Sequence, residues 1–284
     1  MSVPMAPCPR SRGFTLLELV VALSISAILV GFIAMLVSTP VDAYIDQSER
    51  ARLTDGGETL SRRFSEDLNS ALPKSVRIHD AGSRWIVEML RVEGVSFYAL
   101  PLSTPEPDRD FDVGLPNDTF YSYGRFRIRP ASYLVVGNLD TGVLVNVYAG
   151  AGIASSFDVE PGLTEGQERI ALRDGSVFHD LDPRNRLFWV SGPVTYICDA
   201  TSNVRTLRRY SGYSINAAIP TSSTSSALSG AASELIASDV RECRFECGVD
   251  PDRCQHVFVL EATIGRPAPN DNEAFRILEQ IALR

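Results

Sequence analysis

The apolar positions of this chain change rhythm twice. From Leu19 to Val37 they run without a single charge, long enough as a helix to nearly cross a hydrocarbon core. Further on they thin to a stripe, Leu53, Leu60, Phe64 and Leu68, at spacings of seven and four, joined by Ala71 and Leu72. That spacing predicts an amphipathic helix with its stripe turned toward a domain. Its opposite face carries Asp46, Glu49, Arg50, Arg52, Arg62, Arg63, Glu66 and Asp67, read as solvated. Pro40 removes a helical hydrogen bond and is expected to kink the helix near Leu36–Pro40. Gly56 and Gly57 each weaken it by about 1 kcal/mol relative to alanine, which allows a local bend. Pro73 is expected to end it, because the residue before a proline is pushed out of the helical region.

Beyond Pro73 the period falls to two. Val76–His79, Trp85–Val92 and Val95–Leu100 are rich in β-branched and aromatic residues and predict strands. Phe126 and Ile128 alternate with Arg125, Arg127 and Arg129, a half-exposed strand. Further strands are expected at Tyr133–Val136, Val143–Tyr148, Arg186–Val190, Pro193–Cys198, Val204–Arg209, Arg241–Cys247 and His256–Ile264. Phe275, Ile277, Glu279, Ile281 and Leu283 predict a last strand, with a short helix as the alternative. Ser103–Asp118 and Ala217–Ser233 are too polar to bury much apolar surface and are read as mobile loops.

A carboxylate, Glu18, lies just ahead of the apolar run, where it costs up to about 2.5–3.5 kcal/mol on membrane insertion scales. A new amino terminus would return that cost. Cleavage after Gly13 leaves Phe14 with a free α-amine one helical turn away, and a neighbouring staggered helix places amine and carboxylate together better still. The string Gly13-Phe14-Thr15-Leu16-Leu17-Glu18, preceded by Arg10 and Arg12, resembles the prepilin peptidase site of type IV pilins and pseudopilins. The resemblance implies cleavage after Gly13, N-methylation of Phe14 and an assembly role for Glu18. An ordinary signal peptide, by contrast, is cut after its apolar run and holds no glutamate inside it.

Patches beyond the helix narrow the resemblance. Thr39–Tyr44, Arg50–Asp55, Leu68–Pro73, Pro193–Asp199 and Val240–Phe245 are similar to the MshO family, minor pilins of mannose-sensitive haemagglutinin (MSHA) pilus biogenesis. This implies an α+β, pilin-like fold: leader 1–13, transmembrane assembly helix 14–39, amphipathic continuation 40–73, and an exported antiparallel β-sheet domain 74–284. The implied function is a minor pilin that joins or primes an MSHA-type pilus. A type II secretion minor pseudopilin and a tip-displayed adhesin are the alternatives. The implied partners are prepilin peptidase/methyltransferase, other major and minor pilins, the inner-membrane assembly platform and the lipid bilayer. Arg10 and Arg12 hold the leader in the cytoplasm, so the domain is expected in the periplasm and, after assembly, in the pilus.

Charge agrees with these partners. The chain has 27 basic and 35 acidic residues, net −8, and loses two basic residues with the leader. Nucleic acid is an unfavourable partner for such a surface. Arg205, Arg208 and Arg209 are read as solvated. Of five cysteines, Cys8 leaves with the leader. Cys198, Cys243, Cys247 and Cys254 form an even set in an exported domain, where oxidation is the rule. Three pairings exist. Cys198–Cys243, on segments able to neighbour each other, and Cys247–Cys254, closing a short loop around Pro251, are favoured. A four-thiolate zinc site is the alternative. His79, His179 and His256 lack metal-ligand spacing. Asp108, Asp110 and Asp112 resemble the start of a calcium loop, but its twelfth position is Thr119 instead of a bidentate glutamate. No catalytic motif is found, and neither enzymatic activity nor a cofactor is expected.

Overall fold

A computed structural model describes residues 13, 15–98, 111, 119–124, 133–138, 146–150, 152–173, 177–178, 182–201, 204–248, 254, 257–265 and 274–283. The readings placed on Cys8, Arg10, Arg12, Phe14, Phe126 and Ile128, Asp108–Asp112, His179 and His256 lie outside the described residues. So does all of Ser103–Asp118 except Phe111.

The first element, α1 (Leu16–Asn69), is one continuous helix that contains Pro40, Gly56 and Gly57. It ends four residues before Pro73, and the reason is capture by a strand. The Ser70 N–H is shared by the Glu66 and Asp67 carbonyls. Ser70 then accepts from the Val92 N–H at 2.8 Å, and the Leu72 N–H donates to Leu90 at 2.7 Å. The sheet supplies partners to the backbone before the proline is reached.

Two units divide the chain, residues 1–52 and 53–284. In the second unit the strands are β1 (Arg77–Asp80), β2 (Arg84–Tyr98), β3 (Thr119–Tyr123), β4 (Tyr133–Val135) and β5 (Ile153–Ala154). They continue as β6 (Phe157–Pro161), β7 (Gln167–Leu172), β8 (Arg186–Asp199) and β9 (Thr206–Ser211). The last are β10 (Ala232–Ser238), β11 (Val240–Cys247), β12 (Val257–Ile264) and β13 (Phe275–Ala282). All described pairings are antiparallel. One sheet has the order β10-β9-β8-β2-β3-β7-β6, with β1 on β2 and β4 joining β5 to β8; a second is β11-β12-β13. The fold is α+β, with a long N-terminal helix and antiparallel sheets.

The stripe on α1 supplies the centre of the largest core. Leu60, Phe64 and Leu68 are buried with residues of both sheets, among them Val87, Tyr196, Phe245, Phe258 and Leu260. The Phe64 ring meets Tyr196 edge-on at 5.0 Å, lies 5.3 Å from Phe258 and stacks on Phe245 at 5.8 Å. Gly57 has its own packing reason: a Cβ there would collide with the Phe275 ring of β13. A second core gathers Tyr98, Phe111, Phe120 and Phe178 beside Trp189.

Several expected boundaries move. Trp85–Val92 and the described part of Val95–Leu100, up to Tyr98, are one strand, as are Arg186–Val190 and Pro193–Cys198, because bulges at Arg91–Gly94 absorb the irregularity that resembled turns. At the end of Val143–Tyr148 the chain forms a single 3₁₀ turn, Val147–Ala149, capped by the Asn146 side chain. Ala217–Ser233 is held in place: Leu228 is buried with Ile86, Ile197 and Tyr210, and the segment's last two residues enter β10.

Candidate functional site

Gly13 is exposed and non-helical, with open space around its Cα. The next described residue, Thr15, caps the helix. Its Oγ1 accepts from the Glu18 N–H at 3.3 Å and its carbonyl from the Leu19 N–H at 3.1 Å. Thr15 and Glu18 thus stand at the spacing of a capping box, a T-x-x-E signal that the sequence reading passed over. Glu18 lies in the first helical turn, where the helix dipole favours a negative charge.

From Leu16 to Leu36 the helix is uniformly exposed and strongly apolar, with a mean hydropathy of 2.7 over 21 residues. Leu16 is 81% and Met35 76% exposed. At about 1.5 Å per residue this stretch matches a hydrocarbon core of about 30 Å. The hydroxyl of Ser24 is bonded to the Val20 carbonyl at 2.8 Å, so it adds little polarity to the surface. Apolar area of this extent is stable only against lipid or other apolar helices.

Residues 8–34 match the prokaryotic N-terminal methylation motif. The match supports a type IV pilin-like protein, a structural subunit type, which implies interaction with a prepilin peptidase and with other pilins. The apolar helix fits the single-pass membrane anchor of such a protein. No curated protein and no solved structure matches the chain.

In the second unit Asp67, Glu88, Asp182 and Asp199 are buried carboxylates, and the first two gather polar partners from several elements. Asp67, read from the sequence as solvated, is buried at the end of α1. Arg209 of β9 grips it with both arms, Nε to Oδ2 at 2.6 Å and Nη2 to Oδ1 at 3.1 Å. Tyr196 donates its hydroxyl to Oδ2 at 2.7 Å, and Arg91 lies 3.7 Å from Oδ1. Arg209, also expected to be solvated, has a side chain only 12% exposed. Burial first, then the Asp67 charge, push the Tyr196 phenol well above its usual range.

Glu88 of β2 is fully buried. It pairs with Arg77 of β1 and accepts from the Tyr213 hydroxyl at 2.7 Å and from Thr195 at 3.4 Å. Tyr213 and Thr195 also bond each other. Burial raises the Glu88 carboxyl above its ordinary value of 4.5, outweighing Arg77 and these hydrogen bonds. Arg77 reaches onward to the carbonyls of Asn216 and Ala217 at 2.8 and 2.7 Å, and its guanidinium lies 3.6 Å above the Tyr148 ring. One arginine therefore serves a buried acid, an aromatic face and the start of the Ser/Thr-rich segment.

Cys198 on β8 and Cys243 on β11 are joined, with Cα atoms 6.4 Å apart, and the bridge ties the two sheets together. Cys247 and Cys254, 5.0 Å apart at Cα, close the connection between β11 and β12. Among the described residues no three His, Cys, Asp or Glu side chains are placed to hold a metal. Asp67 and Glu88 are both engaged by an arginine and by hydroxyl donors, an arrangement that holds structure and leaves no free base.

Proposed function

We propose that this chain is a minor pilin that co-assembles into, or primes, a type IV pilus of the MSHA type. The observation that carries the reading is the N-terminal segment: Gly13 exposed ahead of a Thr15-capped helix, Glu18 in its first turn, and an apolar surface left bare from Leu16 to Leu36. In this reading prepilin peptidase cuts after Gly13 and methylates Phe14. The apolar helix waits in the inner membrane with residues 1–13 cytoplasmic and the domain periplasmic. On assembly it moves from lipid to a bundle of like helices. Glu18 of one subunit then neutralises the Phe14 amine of its neighbour and sets the stagger between subunits. Cys198–Cys243 and Cys247–Cys254 are the domain's two disulfides, formed after export.

Glu18→Ala tests the assignment. The substitution makes the helix more apolar, so insertion is expected to be unchanged or improved. Mass spectrometry of the membrane-extracted variant is expected to find methylated Phe14 at its start. Piliation is expected to be lost, because an unpaired amine at low dielectric costs several kcal/mol. Normal piliation by this variant would overturn the role given to Glu18. A mature start beyond the apolar run would overturn the pilin reading itself.

A further inference from the structure

We propose that a cavity at the start of β7 is a binding site for a primary alkylammonium group, with Glu168 and Ser122 as the residues that receive its charge. The cavity holds about 350 Å³ and lies where β3 and β7 meet the end of β6. Gly124 and Gly166 form one wall, joined by a 3.1 Å bond from the Gly124 N–H to the Gly166 carbonyl. Gly166 has a φ of +83°, in the left-handed region, and a Cβ added there would meet nothing. Val159 and Pro161 give another wall an apolar lining.

Glu168 lines this space. Its Oε2 atom is buried with no hydrogen-bond partner, and so is the Oγ of Ser122. Ser122 of β3 sits directly opposite Glu168 in the ladder, so the two side chains stand on one face of the sheet. Buried polar groups are nearly always bonded, and two orphaned ones side by side mark a place where a ligand group fits. The neighbours that could have served them are spent. Arg169 lies on the opposite face and holds Glu160 at 2.9 Å and Thr119 at 3.4 Å. Gln167 accepts from the Leu163 N–H at 3.1 Å and donates to the Tyr123 hydroxyl at 3.3 Å. Burial raises the Glu168 carboxyl above its ordinary value of 4.5, and among the described residues no cation offsets this.

The acceptors select the ligand. A buried carboxylate without a counter-charge calls for a cation, and a neutral hydroxyl would leave the charge in place. Calcium needs a fuller shell of oxygens than one carboxylate and one hydroxyl supply. A guanidinium fork brings more donors than these acceptors can serve. An ammonium fits better, since Glu168 and Ser122 each accept one of its protons and its methylene stem lies along Val159 and Pro161. A free alkylamine and a lysine side chain of a partner protein present this same group.

The test follows thermal unfolding of the full chain in a neutral detergent by tryptophan fluorescence. The additions are pentylamine, pentan-1-ol, calcium chloride, or lysine blocked at its α-amine and carboxyl. Pentylamine and blocked lysine are expected to raise the midpoint with concentration, as a ligand of the folded state does, while pentanol and calcium leave it in place. Tighter binding of pentylamine assigns a free amine, and tighter binding of blocked lysine assigns a partner's side chain. Glu168→Gln is expected to weaken pentylamine binding by about tenfold or more, and Ser122→Ala by about threefold. Without amine, Glu168→Gln is expected to raise the midpoint, because it removes an uncompensated charge. Pentanol or calcium acting as strongly as pentylamine, an amine response that survives Glu168→Gln, or no amine response at all overturns the proposal. So does a midpoint lowered by Glu168→Gln, which would show the carboxylate already paired within the chain.

Discussion

Glu18 and Asp67 lie on the same helix and in opposite circumstances. Glu18 is exposed in the first turn, on a stretch whose large apolar side chains are all exposed. Asp67 is buried near the last turn and bound by Arg209 and Tyr196, with Arg91 close by. Around it the apolar stripe of Leu60, Phe64 and Leu68 is wholly covered. One helix thus supports two kinds of surface. The second half finds its partners in its own domain. The first half has to find them elsewhere, and this difference separates stability from association along a single element.

The sharpest way to break the comparison is to truncate matching apolar residues. Phe64→Ala removes a ring in contact with three other rings and is expected to cost about 3–5 kcal/mol. Ile28→Ala, on the exposed half, should leave unfolding of the domain within about 0.5 kcal/mol. Urea denaturation of the full chain in detergent, followed by tyrosine and tryptophan fluorescence, reads both. Equal losses at the two positions would end the distinction between the halves.

Asp67 gives the next test. Asp67→Ala leaves Arg209 buried without its counter-charge, and a loss of about 3 kcal/mol or slightly more is expected. The double variant Asp67→Leu, Arg209→Met removes both charges and should recover most of that loss. If the double variant is no better than the single, the pair does not act as a unit.

Removing Cys198 or Cys243 is expected to cost about 2–5 kcal/mol, and losing Cys247–Cys254 less, because the shorter loop saves less entropy in the unfolded chain. Non-reducing peptide mapping checks the pairing itself. Cys198 linked to Cys247 or Cys254 would contradict it.

The smallest expected effect is a pH dependence, carried by Glu88. Its carboxyl is raised by burial, so the folded chain holds that proton more tightly than the unfolded chain. Its contribution is present below the ordinary value of 4.5 and is lost as pH rises through the folded value. Asp182 works the other way. Burial raises it, but hydrogen bonds and charge from Arg186, with the amides of Arg184 and Arg186, outweigh this and hold it below its ordinary 3.8. Its contribution is present above 3.8 and is lost as pH falls through the folded value. Stability is therefore expected to rise as pH falls through the folded value of Glu88 and to fall again below pH 3.8. Glu88→Gln should flatten the upper limb only; an unchanged upper limb would remove Glu88 from the account.

The parts of the molecule readable from sequence are those governed by local spacing. Leu53, Leu60, Phe64 and Leu68 announced their stripe, and the alternation from Phe275 to Leu283 announced β13. The strands β3, β5, β6, β7 and β10 went unseen, because each is defined by its neighbour more than by its own pattern. Gln167–Leu172 is an example: Gln167 is buried by pairing with Tyr123, a contact no local period reveals. The same limit explains Asp67 and Arg209, which are separated by 142 positions. Each looked solvated because its partner was out of view. Thr15 is a different case, since the T-x-x-E spacing was in plain sight and was overshadowed by Glu18.

The way α1 ends has a mechanical meaning. Ser70 and Leu72 are bonded straight to Val92 and Leu90, which belong to the strand with the longest ladder in the sheet, paired to β8 from Arg84 to Phe97. Asp67 adds an ionic tie to β9 one turn earlier. Tension drawn along the helix past Leu53 therefore enters the domain at its middle strands. It bypasses the edges, where a sheet would begin to peel.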